Sequence, residues 1–161
     1  MTNMRRGFTM IELIFVIVII GILAAVAIPK LATTRDDAEA ATCVHEVGQL
    51  ISEISAYYTK NGNKVFTDTT TGKVSEMTNI GIITTTGATK GIKTDALVHG
   101  AGITYTCDDN DIVAIKGANA GTDYNLTVDL TAGGTPASQQ AQENIAKNLG
   151  IASGGSKTFS L

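Results

Sequence analysis

The chain has 161 residues, with 12 basic and 15 acidic side chains and a formal net charge of −3. A negative chain argues against a nucleic-acid-binding surface, because such a surface needs a cluster of basic side chains. The residues from Lys30 onward, about 130 in number, are enough for one compact domain and too few for two. We therefore expect one globular domain and no nucleic-acid partner.

Residues 1–7 form a short basic leader that ends in Gly7, with Arg5 and Arg6 directly before it. An ordinary secretory signal places its apolar region before the small residue at its cleavage site. Here Gly7 comes first, so cleavage after it leaves an apolar helix on the mature chain. The two arginines hold this end in the cytosol by the positive-inside rule, which places the following domain outside the cytoplasm.

Residues 8–28 are predicted to form a transmembrane helix in which Glu12 is the only ionisable side chain. A mostly apolar run of about 18 residues or more is long enough to span a bilayer. A carboxylate within such a span costs about 2.5 to 3.5 kcal/mol near the helix centre and somewhat less near an end, so Glu12 needs a partner. The alternative is a solvated Glu12 at the level of the lipid headgroups.

Gly21 and Pro29 are predicted to weaken this helix. Both residue types are more frequent in membrane helices than in soluble ones. Pro29 also removes a backbone donor and clashes with the preceding turn. We therefore expect the helix to bend or unwind in this region.

The stretch RGFTMIEL, from Arg6 to Leu13, resembles the signature of type IV prepilins and type II secretion pseudopilins. The resemblance implies cleavage after Gly7 by a prepilin peptidase of the inner membrane, and N-methylation of Phe8, the new N-terminus. Phe8 and Glu12 become the implied assembly residues, because in this family the acid pairs with the N-terminal amine of a neighbouring subunit. The implied partners are other copies of the chain, minor pilins and the assembly platform of the inner membrane.

The same resemblance implies an α+β fold like that of type IV pilins, with a long N-terminal helix as its spine. Residues 29–60 support this layout as an amphipathic continuation of the helix, since their apolar positions recur in steps of three and four residues. The pair Asn61-Gly62 predicts the helix end. The predicted apolar stripe comprises Ala40, Cys43, Val47, Leu50, Ile54 and Tyr57.

Residues 61–161 are predicted to form the head of the molecule. The segment 61–102, rich in Thr and Gly, predicts a connecting loop with little regular structure. Residues 103–130 show three stretches of alternating apolar and polar side chains and predict an antiparallel β-meander. Its turns are expected at Asp108 to Asn110 and at Gly117 to Gly121. The apolar stripe of the long helix is the available cover for one face of this sheet.

A short C-terminal helix is predicted over residues 136–149. Thr135 followed by Pro136 is typical of a helix start, and Gly150 is typical of a helix end. Residues 157–161 predict a short edge strand.

Cys43, on the helical stripe, and Cys107, at the end of a predicted strand, are expected to face the same core. A head outside the cytoplasm lies in an oxidising compartment, so we predict a disulfide between them. The alternative is two small buried apolar side chains. Many members of the family that the chain resembles close a C-terminal loop with their disulfide instead, and this sequence has no cysteine pair there.

Three other patterns carry weaker predictions. Asn125 lies in DYNLT, which resembles the acidic-extended N-glycosylation site that some bacterial oligosaccharyltransferases recognise. The alternative is an unmodified strand. The residues from Asp108 to Asp111 lack the Gly and the Glu of an EF-hand loop and predict a solvated turn. His45 and His99 show no metal-ligand or nucleophile pattern, so we predict no metal, cofactor or catalytic set.

Three functions of different class fit these observations. The first is a structural subunit of a type IV pilus, and the second is a pseudopilin of a type II secretion or DNA-uptake system. The third is a periplasmic enzyme or binding protein that uses the helix only as an anchor, against which Glu12 in the span argues. We expect a single-pass precursor in the bacterial inner membrane, then a surface pilus or a periplasmic pseudopilus. The size of the head favours the pilus.

Overall fold

The computed structural model describes residues 7–62, 73–81, 102–121, 123–131, 133–152 and 154–161. The chain divides into two compact units, Met1–Asp36 and Asp37–Leu161. Helix α1 spans Met10–Asn61 and contributes residues to both units.

The described part of the first unit is the N-terminal part of α1 and the three residues before it. Its large apolar side chains are exposed, by fractions between 40% at Ile19 and 86% at Phe8. Gly21 and Pro29 both lie inside α1 and are helical. Bending or unwinding at these two residues stays a prediction.

The second unit combines the rest of α1 with two further helices and one sheet. These elements are α2 (Val74–Met77), β1 (Ile103–Cys107), β2 (Asn110–Ala120), β3 (Asp123–Leu130), α3 (Pro136–Leu149) and β4 (Ser156–Ser160). The four strands form one antiparallel sheet in the order β1-β2-β3-β4. The predicted α+β class, with a small antiparallel sheet and a short C-terminal helix, is confirmed.

The core of this unit lies between the helices and one face of the sheet. The predicted stripe of α1 supplies five buried residues to it: Ala40, Cys43, Val47, Leu50 and Ile54. Alternate residues of the strands supply the opposite wall, among them Tyr105, Ile115, Tyr124, Leu126 and Val128. Each buried Leu, Ile or Val contributes about 1.5 to 3 kcal/mol relative to an exposed one. Burial alternates along β3, as expected for a sheet with one covered face, whereas all five residues of β1 are buried.

The end of α1 is where the sequence predicts it. Gly62 has a φ of +72°, and its N–H donates to the carbonyl of Tyr58 at 2.7 Å. Beyond it, the prediction of little regular structure over 61–102 is wrong at α2, a single turn whose Val74 and Met77 are buried in the core. Residues 63–72 and 82–101 of this predicted loop lie outside the described residues.

One predicted turn is confirmed and one is wrong. Asp108 and Asp109 form a two-residue turn with φ values of +50° and +58°, and Asn110 already pairs with Cys107. The turn predicted to begin at Gly117 begins later, because β2 continues to Ala120. A Cβ on Gly117 would lie 1.9 Å from Tyr124 Oη, so this glycine makes room for a core side chain.

The C-terminal helix agrees with its prediction at both ends. Thr135 accepts from the N–H of Ser138 at 3.4 Å, and Pro136 takes the first helical position. Gly150 ends the helix with a φ of +66°. Strand β4 follows as a sheet edge next to β3.

Candidate assembly site

The first turn of α1 is closed by two residues that hold each other. Thr9 donates its backbone N–H to Glu12 Oε2 at 2.8 Å and its hydroxyl to the same oxygen at 2.6 Å. The N–H of Glu12 points back to Thr9 Oγ1 at 3.4 Å. This reciprocal arrangement is a capping box, in which the side chains at the helix start satisfy backbone donors that have no partner within the helix.

The role of Thr9 was not predicted. The signal was present, since Thr9 followed three residues later by Glu12, directly before an apolar run, is the pattern of a capping box. The carboxylate therefore has local donors before any second chain approaches it. Both hydrogen bonds that the Glu12 carboxylate accepts go to Oε2, and no described residue donates to Oε1.

The residues before the helix are accessible. Gly7, Phe8 and Thr9 are non-helical and exposed. Within the described residues, α1 is the one helix that is long and apolar enough to cross a membrane, judged by length and composition. The predicted cleavage position, after Gly7, therefore lies in exposed, non-helical backbone directly before this helix.

The predicted disulfide is present within the second unit. Cys43 on α1 and Cys107 at the end of β1 are joined, with their Cα atoms 5.9 Å apart and a separation of 64 positions in sequence. Both cysteines are buried. The bond fastens this part of α1 to the edge of the sheet.

Two tyrosine contacts reinforce the same helix and were not predicted. Tyr105 of β1 donates its hydroxyl to Glu46 Oε2 at 2.5 Å, and burial, followed by this bond, raises the pKa of Tyr105 well above its usual range. Tyr58 stacks on Tyr124 of β3 with ring centroids 5.8 Å apart, and burial likewise raises the pKa of Tyr124. Such pairs depend on the folded arrangement, which the sequence pattern does not contain.

The weaker candidates lie apart from these contacts. Asn125 is half-buried in β3, where it pairs with Ala118 on one side and Ser160 on the other. His45 is exposed on α1, and His99 lies outside the described residues. Among the described residues, no group of three or more His, Cys, Asp or Glu side chains is arranged to hold a metal ion. Glycosylation of Asn125 stays a prediction.

Comparison with known proteins places the resemblance in the N-terminal part of the chain. Residues 2–28 match the family model described as the prokaryotic N-terminal methylation motif. The chain is 39% identical over 57 residues to a type II secretion system core protein G of Klebsiella michiganensis. This alignment covers 35% of this chain and 40% of that protein. It is 34% identical over 80 residues to a type IV major pilin of Neisseria gonorrhoeae. This alignment covers 50% of this chain and 48% of the pilin.

A third relative is a type IV major fimbrial protein of Dichelobacter nodosus, 41% identical over 54 residues, or 34% of this chain and 35% of that protein. No solved structure gives a significant match. The chain spans less than half of the length of each of these three relatives. The order of a long N-terminal helix, an antiparallel sheet and a short helix is consistent with the pilin fold. The predicted resemblance is confirmed: the N-terminal part of this chain is similar to type IV pilins and to type II secretion pseudopilins.

Proposed function

We propose that this chain is a structural subunit of a type IV pilus-like filament, polymerised through its N-terminal helix. The observation that carries the proposal is Glu12, which lies within the matched methylation motif and is the single ionisable side chain between Phe8 and Ile28. Inserting a carboxylate into a membrane span costs free energy, so its presence there indicates a functional role. The proposed role is structural rather than catalytic.

Processing is the first proposed step. A prepilin peptidase cleaves after Gly7 and methylates the amine of Phe8. Exposure of both residues and their non-helical backbone support access by such an enzyme. Arg5 and Arg6 leave with the leader, and the head lies outside the cytoplasm.

Cleavage also creates the proposed partner of Glu12. In the precursor the nitrogen of Phe8 belongs to a neutral peptide bond. After cleavage it is an amine that carries a positive charge at neutral pH, and N-methylation keeps that charge. A carboxylate without this partner remains a cost in the membrane, whereas a pair of opposite charges in low dielectric offsets part of the desolvation.

The capping box fits this pairing. Thr9 occupies Oε2 of Glu12, and a carboxylate can accept about four hydrogen bonds in all. Oε1 is therefore available to the Phe8 amine of an adjacent copy. The cap also fixes the carboxylate at the helix start, where the helix dipole favours a negative charge.

The exposed apolar side chains of α1 support a filament. Between Phe8 and Leu31 they form a surface too large for a free soluble subunit. The inner membrane covers this surface before assembly, and α1 helices of neighbouring copies cover it afterwards. Minor pilins and an assembly platform of the inner membrane are the further proposed partners.

Electron microscopy of material sheared from the cells, with N-terminal sequencing of any fibre, tests the proposal. We expect filaments whose subunit begins at N-methylated Phe8. A native protein that begins at Met1 and is recovered only as a monomer would contradict it. That second result would favour a singly anchored periplasmic binding protein.

The second candidate is a pseudopilin in a type II secretion or DNA-uptake system. The similarity to core protein G of Klebsiella michiganensis favours it specifically. Shearing separates the two candidates, because a pilus is released from the surface whereas a pseudopilus stays with the periplasm. Neighbouring genes give a second criterion: a retraction ATPase favours the pilus, and an outer-membrane secretin within a full secretion operon favours the pseudopilus.

A further inference from the structure

The last turn of α1 ends in Asn61-Gly62, a pair that can react with itself. The backbone nitrogen of Gly62 can attack Cγ of the Asn61 side chain, and an asparagine followed by the smallest residue meets the least steric hindrance. A C–N bond forms, ammonia leaves, and a five-membered succinimide results. Water then opens this ring on either side to give aspartate or isoaspartate. The net reaction is hydrolysis of the side-chain amide and needs no oxidant or reductant.

The folded helix end holds both reacting groups in hydrogen bonds that oppose this reaction. The Gly62 N–H donates to the carbonyl of Tyr58 at 2.7 Å. The side-chain amide of Asn61 donates from Nδ2 to the carbonyl of Tyr57 at 3.0 Å. Attack requires the nitrogen to turn towards Cγ, so the first bond must break. The second bond restrains the amide that would leave.

This turn can open while the core stays closed. Packing fastens α1 up to Tyr58, whose ring stacks on Tyr124, and Ile54 is fully buried. The next three residues, Thr59, Lys60 and Asn61, are exposed. Helix ends with few buried contacts open far more often than the core unfolds.

We propose that Asn61 is a deamidation site whose reaction is controlled by opening of the last turn of α1. The product weakens the turn that protected it. A carboxylate at residue 61 cannot donate to the carbonyl of Tyr57, and it places a negative charge at the negative end of the helix dipole. Isoaspartate in addition lengthens the backbone by one carbon. The modification therefore accumulates in older copies of the protein and loosens the junction between α1 and the segment that follows.

The test compares the full chain in detergent micelles with the same chain unfolded in concentrated urea, both in mildly alkaline buffer. Chymotrypsin cleaves after Tyr58 and Phe66, and mass spectrometry of the peptide 59–66 measures conversion of Asn61, with fragmentation to distinguish it from Asn63. We expect conversion at least about tenfold slower in the folded chain, because only the opened turn reacts. Asn61→Gln should show no conversion at this position in either state. Equal rates in the folded and unfolded chains, or no conversion of Asn61 in the unfolded chain, would overturn the proposal.

A matched pair of variants tests the control by the helix end. Lys60→Gly and Lys60→Ala remove the same charge, but glycine weakens a helix and alanine supports it. Relative to the rate in urea, the folded glycine variant should react roughly two- to fivefold faster than the alanine variant. Hydrogen exchange of the Gly62 amide should accelerate in the same order. If the two variants react and exchange alike, opening of the turn does not control the reaction.

Discussion

Replacing Gly117 by alanine is the sharpest test of the packing in the second unit. The added Cβ would lie 1.9 Å from Oη, 2.4 Å from Cζ and 2.5 Å from Cε1 of Tyr124. Carbon atoms in ordinary contact are about 3.5 to 4.0 Å apart, so the ring must retreat by more than an ångström. It has no room to do so, since Tyr124 is fully buried and stacks on Tyr58.

The expected loss of stability follows from two opposing terms. Overpacking of a closed core costs up to about 3 kcal/mol. Alanine in a strand otherwise gains about 0.5 to 1 kcal/mol over glycine. The net effect is a loss of about 2 kcal/mol in the free energy of unfolding, which for a unit of this size lowers the melting temperature by about 6 to 10 °C.

Thermal and urea unfolding of the full chain in detergent, followed by circular dichroism, measure this loss. Gly48→Ala is the matched control, because its added Cβ would meet no atom within 4 Å beyond the adjacent residues and backbone of its own helix, and the helix should gain slightly in stability. Combining Gly117→Ala with Tyr124→Leu should cost less than the sum of the two single changes, since the clash disappears. A Gly117→Ala variant as stable as the control, or additive losses in the double variant, would refute the packing argument.

Three further predictions concern the same unit. Replacing both Cys43 and Cys107 by serine should lower the free energy of unfolding by about 4 kcal/mol on the chain-entropy model, given their separation of 64 positions; a change below about 1 kcal/mol in urea unfolding would contradict this. Asp109→Gly should raise stability by about 0.5 kcal/mol, because its φ of +58° suits glycine, and a lower melting temperature would count against the turn. The raised pKa of Tyr105 means that its stabilising contribution is intact below the unfolded pKa of about 10 and declines above it. Tyr105→Phe should therefore flatten the alkaline loss of stability, and an unchanged pH profile would contradict the assignment.

Local patterns predicted the parts of this fold that local physics decides. The apolar stripe of α1 and the ends of α3 depend on residues within a turn or two, and both are confirmed. Gly117 misled the prediction because its role depends on Tyr124, a side chain on the neighbouring strand. Helix α2 is a single turn whose formation depends on burial of Val74 and Met77, which no short pattern reveals.

The candidate site likewise combines features that depend on neighbouring residues with contacts between residues far apart in sequence. The cleavage motif and Glu12 are local in sequence, so the N-terminal resemblance could be identified directly. The capping bonds of Thr9 were equally local and could have been predicted. The contact between Tyr105 and Glu46 joins residues 59 positions apart and required the structure.

The most direct test of the central claim is the filament yield of Glu12→Leu measured together with its processing. Leucine makes the span more apolar, so the variant should insert and be cleaved to begin at Phe8, yet assemble into few or no filaments. Asp37→Leu, which removes an exposed acid of α1 outside the span, should assemble normally. Normal filaments from the processed Glu12→Leu chain would contradict the pairing of this carboxylate with the amine of an adjacent copy.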